Sequence, residues 1–347
     1  MCVLCGALGR ELESLWHSGA TAVYEGSADD TPVIAYASRV GQTATGNQQA
    51  DGLLSGSKWS GTLTYSFTDS PSDYASGYGY GEPGSGFAKV SVAEQQAVNA
   101  AMAQIEAFTN LNIQRNDEAG ISDGAADIRI AKSAEANPTA YAYYPSNSID
   151  GEGGDIWIGT SYSSYSNPIL GSYSYATHIH EMGHAFGLKH SHENGGVAGP
   201  VPSDHDALEF SVMSYRSYVG DSLNGGYTNE EYGFPQSYMM NDILALQTMY
   251  GADFGFNSTD SVYTWDSSTG QMFINDVGQG TPGANRVFLT VWDGNGNDTY
   301  DMSNYSGGVS INLQPGLWSI TSSTQIAYLG EGHYAQGNVY NAYQYDP

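Results

Sequence analysis

The amino-acid sequence predicts an α+β fold with a mixed N-terminal part and a β-rich C-terminal part. Up to residue 252, short segments of alternating apolar and polar residues, typical of strands, are interspersed with helical patterns. Beyond Gly251 the composition shifts to Gly, Asn, Asp, Ser and Tyr, with only short strand signals. The 347 residues are enough for two domains with substantial cores. We therefore divide the chain into an N-terminal segment, 1–50, and two domains, 51–252 and 253–347.

The first domain is predicted to begin with a strand and a long helix. The segment 62–67 alternates apolar and polar residues. Residues 91–108 follow a helical pattern, with Ser91 as the N-cap residue and Glu94 three positions later, the spacing of a capping box. Further strands are predicted at 126–130, 140–144 and 155–158, and a further helix near 238–250.

A metal-binding pattern follows the last of these strands. His180 and His184 are four residues apart, so on a helix both imidazoles lie on one face, as two ligands of a single zinc ion require. Glu181 lies beside the first ligand and is placed to act as general base toward a zinc-bound water. Gly187 permits a sharp exit from the helix, and the turn returns His190 as a third ligand.

Chance is the alternative explanation of this pattern, since two histidines flanking a glutamate in this spacing arise often in unrelated sequences. Here the glycine and the third histidine are also in place. Five of the eight histidines of the chain fall within residues 178–192. These observations favour a zinc site over core packing.

Composition excludes other classes of partner. Ten Lys and Arg residues against 37 Asp and Glu residues give a net charge of −27, which disfavours nucleic acid because phosphate binding needs clustered basic residues. The acidity suits a secreted protein that folds around calcium, although it also serves solubility. No run of about 18 apolar residues is present, so no membrane span is predicted.

A methionine follows the histidine pattern in the segment 210–215, which reads Phe-Ser-Val-Met-Ser-Tyr. After the extended histidine pattern, Met213 resembles the Met-turn of the metzincin clan of zinc proteases. The Ser-Tyr continuation resembles the serralysin family in particular. Residues 240–252 are similar to the helix that closes a serralysin protease domain, and residues 292–301 with 311–313 are similar to the start of its C-terminal domain.

This resemblance implies a fold and a set of roles. The implied fold is a metzincin protease domain, with a twisted, mostly parallel sheet and long helices, followed by the start of a calcium-binding β-roll. The implied zinc ligands are His180, His184, His190 and, in the resting enzyme, Tyr215. Glu181 is the implied general base, Tyr215 also stabilises the reacting carbonyl, and Met213 forms a hydrophobic base beneath the metal.

Two further sites are implied in the same way. The strand containing Ala140, Tyr141 and Ala142 edges the substrate cleft and binds extended substrates by strand addition, the alternative being an ordinary internal strand. Calcium is the second expected cofactor, because carboxylate and turn carbonyl oxygens are its usual ligands. The Asp-Gly-Asn run at 293–295 could also be an ordinary turn without calcium. In addition, Thr259 stands where the family pattern has glycine. The expected calcium residues are Asn257, Thr259, Ser261, Asp293, Asn295 and Asp298.

The N-terminal segment is expected to be a leader or pro-segment. Cys2 and Cys5, the only cysteines, depart from the cysteine-free family pattern. They have three readings: a disulfide or ordinary thiols, half of a shared metal site or contact with another chain, or a thiolate that occupies the open zinc position and keeps the enzyme latent. Asp29 and Asp30 are rival blocking ligands.

The sequence therefore predicts a secreted zinc metalloendopeptidase that cleaves extended protein segments and works as a monomer. A proteinaceous inhibitor is a further expected partner. A Sec signal peptide is not recognisable, and the family leaves the cell by type I secretion. Since the repeat array and terminal signal of the family are missing, we expect a truncated sequence. The rival functions are a calcium-dependent binding protein with structural zinc and a narrow processing enzyme.

Overall fold

The structure, a computed structural model, describes residues 37–116, 122–147 and 151–346. Its helices are α1 (Gln48–Asp51), α2 (Val92–Phe108), α3 (Tyr173–Ala185) and α4 (Met240–Tyr250). The strands of the first part are β1 (Ser38–Gly41), β2 (Ser57–Ser60), β3 (Leu63–Phe67), β4 (Ile113–Arg115), β5 (Ile128–Ser133), β6 (Ala140–Ala142) and β7 (Ile156–Gly159). Every predicted strand and helix of this part is confirmed, with ends shifted by a few residues.

A five-stranded sheet organises the first domain. Its strand order is β4-β3-β5-β7-β6, and all neighbours are parallel except β6, which runs antiparallel to β7 at one edge. Every residue of β3 and β5 is buried. Burial on both faces is typical of parallel strands covered by helices. The expectation of a mostly parallel sheet with long helices is therefore met.

Helix α2 begins as its sequence predicts. The Ser91 side chain accepts a hydrogen bond from the Glu94 backbone N–H, and the Glu94 carboxylate accepts one from the Ser91 backbone N–H. Such a box satisfies two N–H groups that a helix start otherwise leaves free, which stabilises the helix by about 1 kcal/mol. The buried face of α2, with Val98, Met102 and Ile105, packs in the main core together with α3 and α4.

The described end of the N-terminal segment folds onto this domain. Strand β1 pairs antiparallel with β2. After α1, Leu53 and Leu54 are completely buried in the main core. The backbone N–H of Lys189 donates to the Leu53 carbonyl, so the residues that follow α1 lie directly beside the end of the histidine pattern. The boundary of a pro-segment near residue 50 stays a prediction.

The second domain consists of short strands: β8 (Val262–Trp265), β9 (Met272–Ile274), β10 (Val277–Gly278), β11 (Leu289–Val291), β12 (Thr299–Asp301), β13 (Trp318–Ser319), β14 (Tyr328–Gly330), β15 (His333–Tyr334) and β16 (Val339–Asn341). They form small separate sheets. The hairpin β14–β15 contacts the loop after the Met-turn, where the Tyr218 and His333 rings stack 3.7 Å apart. The β-rich character is as predicted, while the β-roll stays an expectation. Among the described residues, no helix has both the length and the apolar composition to cross a bilayer.

Candidate metal centre

Helix α3 carries two of the three expected ligands and ends where the third becomes possible. His180 and His184 are both buried on it. Gly187 follows the helix with a φ of 104°, and a Cβ there would lie 2.3 Å from the Ser57 carbonyl oxygen. Only glycine therefore fits this turn, which brings His190 back against the helix.

The three imidazoles converge on one point. Their candidate ligand atoms, one from each of His180, His184 and His190, all lie within 4.8 Å of one another. The Nε2 atoms of His184 and His190 are 3.0 Å apart, and the Tyr215 hydroxyl lies 2.8 Å from His190 Nε2. Three imidazole nitrogens with one phenolic oxygen beside them suit zinc, which takes nitrogen ligands in a tetrahedral set and accepts an oxygen ligand.

Each imidazole is held by its other nitrogen. The Nδ1 atoms face Val212 O for His180 (2.8 Å), Leu188 O for His184 (2.7 Å) and Glu193 Oε1 for His190 (2.7 Å). Donation from Nδ1 leaves the Nε2 lone pair free for a metal. Burial lowers the pKa of His180 to about 4 and that of His190 to about 2, and it holds the pKa of His184 well below its usual value. The cluster is therefore neutral at pH 7, the state in which imidazole binds metal.

Glu181 lies within the same helix turn. Its side chain is buried, and among the described residues one of its carboxylate oxygens has no hydrogen-bond partner. Burial raises the pKa of Glu181 to about 8. A buried carboxylate with an unpartnered oxygen beside a metal-binding cluster is placed where a general base could act on a metal-bound water.

The Met-turn lies beneath the helix. Met213 is completely buried, and a Cβ at Gly183 would lie 2.6 Å from its sulfur, so this glycine lets the two segments touch. Helix α4 anchors the turn through Asp242, which accepts hydrogen bonds from the Ser211 hydroxyl and the Val212 N–H. The Val212 carbonyl in turn holds His180, so α4 acts on the metal cluster through two hydrogen-bonded steps.

The expected substrate strand lies at an edge of the sheet, beside α3. Tyr143 donates its N–H to Asp155, and Gly159 donates to Thr139, so the odd-numbered residues 139, 141 and 143 direct their backbone groups toward β7. Because backbone direction alternates along a strand, Ala140 and Ala142 present theirs at the free edge. Tyr141 instead pairs with Trp157 inside the sheet.

The two segments expected to bind calcium also come together. Strand β12 runs parallel to β8, and the Asp298 carboxylate accepts the Ser261 N–H at 2.9 Å. A Cβ at Gly296 would lie 2.8 Å from Thr259 O and 2.9 Å from Asp298 Oδ1, so two oxygens crowd this glycine. The Asp293 carboxylate accepts hydrogen bonds from the Tyr263 hydroxyl and the Asn295 N–H. Asn257 donates to the Tyr263 hydroxyl. Carboxylate and backbone oxygens of both segments, the ligand types that calcium takes, thus lie near one another, and calcium binding stays a prediction.

Four residues of the site escaped the sequence interpretation. Glu193 holds His190, Asp242 holds the Met-turn, Lys189 donates to three backbone carbonyls under the third histidine, and the Tyr144 ring lies 5.5 Å from the His184 ring. Of these four residues, only Glu193 has a recognisable sequence signal, namely a carboxylate three residues after His190, the third histidine of the pattern. Cys2, Cys5, Asp29 and Asp30 lie outside the described residues, and their latency roles stay predictions.

Comparison with known proteins gives concordant relatives. The family described as "Peptidase M10 serralysin C terminal" matches residues 252–323. Serralysin C of Dickeya chrysanthemi is 31% identical over 277 residues, which cover 75% of this chain and 54% of that protein. Metallopeptidase AprA of Pseudomonas marginalis is 31% identical over 265 residues, covering 74% of this chain and 53% of that protein.

A longer alignment is found with serralysin G of Dickeya chrysanthemi. It is 28% identical over 317 residues, which cover 89% of this chain and 62% of that protein. The chain thus spans between about half and three fifths of the length of these three relatives.

Proposed function

Because the chain belongs to the serralysin-type metalloproteases, we propose that it is a secreted, zinc-dependent endopeptidase acting on extended protein segments. The observation that carries the proposal is the convergence of three neutral, oriented imidazoles beside a buried carboxylate with an unpartnered oxygen. His180, His184 and His190 would hold the metal. Zinc, when bound, supplies Lewis-acid activation of water and of the scissile carbonyl.

Glu181 transfers the proton of the reaction, and Tyr215 stabilises the negative charge that develops on the substrate. The Glu181 carboxylate takes the proton of the attacking water and delivers it to the departing amine. Burial raises the pKa of Tyr215 to about 12, so its hydroxyl stays protonated at neutral pH. It donates a hydrogen bond where negative charge develops on the carbonyl oxygen. Losing one such donor typically lowers kcat by roughly 10²–10³.

The substrate binds as an added strand along β6. The free-edge groups of Ala140 and Ala142 pair with the substrate backbone, and Tyr144 lies at the next free-edge position beside His184. Calcium bound by Asp293, Asp298 and the Thr259 carbonyl stabilises the second domain. We further propose that the enzyme is monomeric and reaches the extracellular medium by type I secretion. A proteinaceous inhibitor regulates it there.

Casein cleavage by the wild-type chain and by Glu181→Gln tests this function, with zinc content measured and equal in both. Glu135→Gln, a change of an exposed glutamate outside the site, is the matched control. We expect activity to be lost in Glu181→Gln and retained in the control. Full activity in Glu181→Gln would refute the role of general base.

Inactivity of the wild type would direct the test to the N-terminal segment. A Cys2→Ser/Cys5→Ser variant and one lacking residues 1–36 are then assayed on the same substrate. A gain in activity supports latency. Continued inactivity of both variants, with zinc bound, would overturn the proteolytic function in favour of a binding role.

A further inference from the structure

A buried carboxylate with no role in the proposed chemistry lies beneath the substrate strand. Glu82 is completely buried, in the short 3₁₀ turn Glu82–Gly84. One of its oxygens, Oε1, accepts hydrogen bonds from the hydroxyls of both Tyr141 and Tyr143. The other, Oε2, accepts the Tyr80 backbone N–H at 2.8 Å. Within the part of the chain that the structure describes, no lysine, arginine or histidine forms an ion pair with it.

Such a group is costly unless its hydrogen bonds offset the loss of water. Two of the three donors are the side chains of Tyr141 in β6 and of Tyr143 just after it, so the carboxylate and this end of the strand stabilise each other. Burial, the largest cause, raises the pKa of both tyrosine hydroxyls far above neutral, which keeps them protonated donors. The packing is close, since a Cβ at Gly79 would lie 2.5 Å from Glu82 Oε2 and 2.6 Å from the Tyr143 hydroxyl.

Tyr141 lies in β6 and Tyr143 just after its end, beside the proposed substrate cleft. Tyr141 and Tyr143 pack in an aromatic cluster with Tyr74, Tyr78 and Trp157. The intervening Ala140 and Ala142 pack instead against the main core, which contains residues of α3. Side chains of alternate residues thus fix the strand from both faces. On the tyrosine side, the backbone of Ala140 and Ala142 is supported by the contacts that residues 141 and 143 make with Glu82 and the aromatic cluster.

We propose that Glu82 is a positioning residue for extended substrates. Through its hydrogen bonds to Tyr141 and Tyr143 it fixes the position of the β6 backbone relative to the histidine cluster. The inference rests on the proposed function. It deepens that function by assigning the enzyme to substrates long enough to pair with the strand on both sides of the scissile bond. Glu82 touches neither substrate nor reacting atoms, so its effect falls on binding of the extended backbone.

Steady-state kinetics on two quenched-fluorescence peptides test this inference. One peptide extends four residues to each side of the cleaved bond, and the other has a single residue on each side. In the Tyr141→Phe/Tyr143→Phe variant we expect KM for the long peptide to rise about tenfold, equivalent to ~1.4 kcal/mol. We expect kcat to change by less than about twofold, and the short peptide to be cleaved as by the wild type, because it makes no strand contacts.

Three further variants sharpen the result. Glu82→Ala removes all acceptors and should raise the KM for the long peptide at least as much, while Glu82→Gln keeps one acceptor oxygen and should recover part of the loss. Tyr74→Phe keeps the ring in the same aromatic cluster but removes a buried hydroxyl that is hydrogen-bonded to Thr68 and not to Glu82, and its kinetics should match the wild type. If Glu82→Ala does not fold, the kinetics of the Tyr141→Phe/Tyr143→Phe variant alone test the positioning role.

The outcomes separate the two proposals. An unchanged KM, or an equal loss on long and short peptides, would overturn the positioning role while leaving the protease assignment intact. If neither the wild type nor the variant lacking residues 1–36 cleaves the peptides or casein with zinc bound, the proposed function itself would be contradicted.

Discussion

Lys189 offers the sharpest test of how the third histidine is held. Its side chain is almost completely buried, and its ammonium donates to the carbonyls of Gly52, Glu193 and Gly199. These carbonyls belong to the segment before β2 and to the loop after His190. The replacement Lys189→Met keeps most of the side-chain volume but removes all three donors.

The size of the effect follows from these contacts. A buried acceptor left without its partner costs about 1–3 kcal/mol. Three carbonyls would therefore cost about 3–9 kcal/mol, and the loss is reduced because methionine does not require the desolvation of an ammonium. We expect the free energy of unfolding to fall by about 3–4 kcal/mol, a large part of the ~5–15 kcal/mol typical of a domain. Displacement of His190 should also speed zinc release.

Urea unfolding at fixed zinc concentration, with zinc release followed by a chromogenic chelator, measures both effects. Lys58→Met is the matched control, because the Lys58 ammonium donates to the single carbonyl of Met249 from a half-buried position. We expect the control to lose less than about 1 kcal/mol. Equal stability of the two variants, with unchanged zinc release, would refute the reasoning that Lys189 organises the loop under His190.

Three other predictions concern separate parts of the molecule. Glu193→Ala removes the acceptor of His190 Nδ1 and should weaken zinc affinity about 10–100-fold, as competition with a chelator would measure; unchanged affinity would show that the imidazole needs no anchor. Burial raises the pKa of Glu106 to about 7 although it accepts the Ile113 N–H, so the folded state binds the extra proton. Stability from this group is present below pH 4.5 and lost as the pH rises to about 7. Glu106→Gln should therefore be more stable than the wild type above pH 7 by about 3 kcal/mol in urea unfolding, and a parallel pH dependence of both proteins would contradict this. For calcium, saturation at 100 times Kd should stabilise the wild type by about 2.7 kcal/mol in thermal unfolding and leave Asp298→Ala unaffected, whereas equal responses would place the ion elsewhere.

Local rules predicted the elements and the ligand set. The capping box of Ser91 and Glu94, the four-residue spacing of His180 and His184, and the glycine needed at position 187 are properties of neighbouring residues, so the sequence displays them directly. The alternation of 62–67 likewise sufficed for a strand. These features depend on backbone geometry within one or two turns, and for that reason the structure contains them, whereas the role of the histidines as zinc ligands stays a prediction.

Contacts between distant segments were decided only by the tertiary structure. Nothing in the sequence links Glu82 to Tyr141 and Tyr143, about sixty residues away, or Lys189 to Gly52. A single sequence shows which residues are polar, but whether a polar side chain is buried and which partner satisfies it depends on how the sheet and loops pack. The sequence by itself therefore determined the candidate metal ligands, while packing decided which residues hold these side chains and the β6 edge in place.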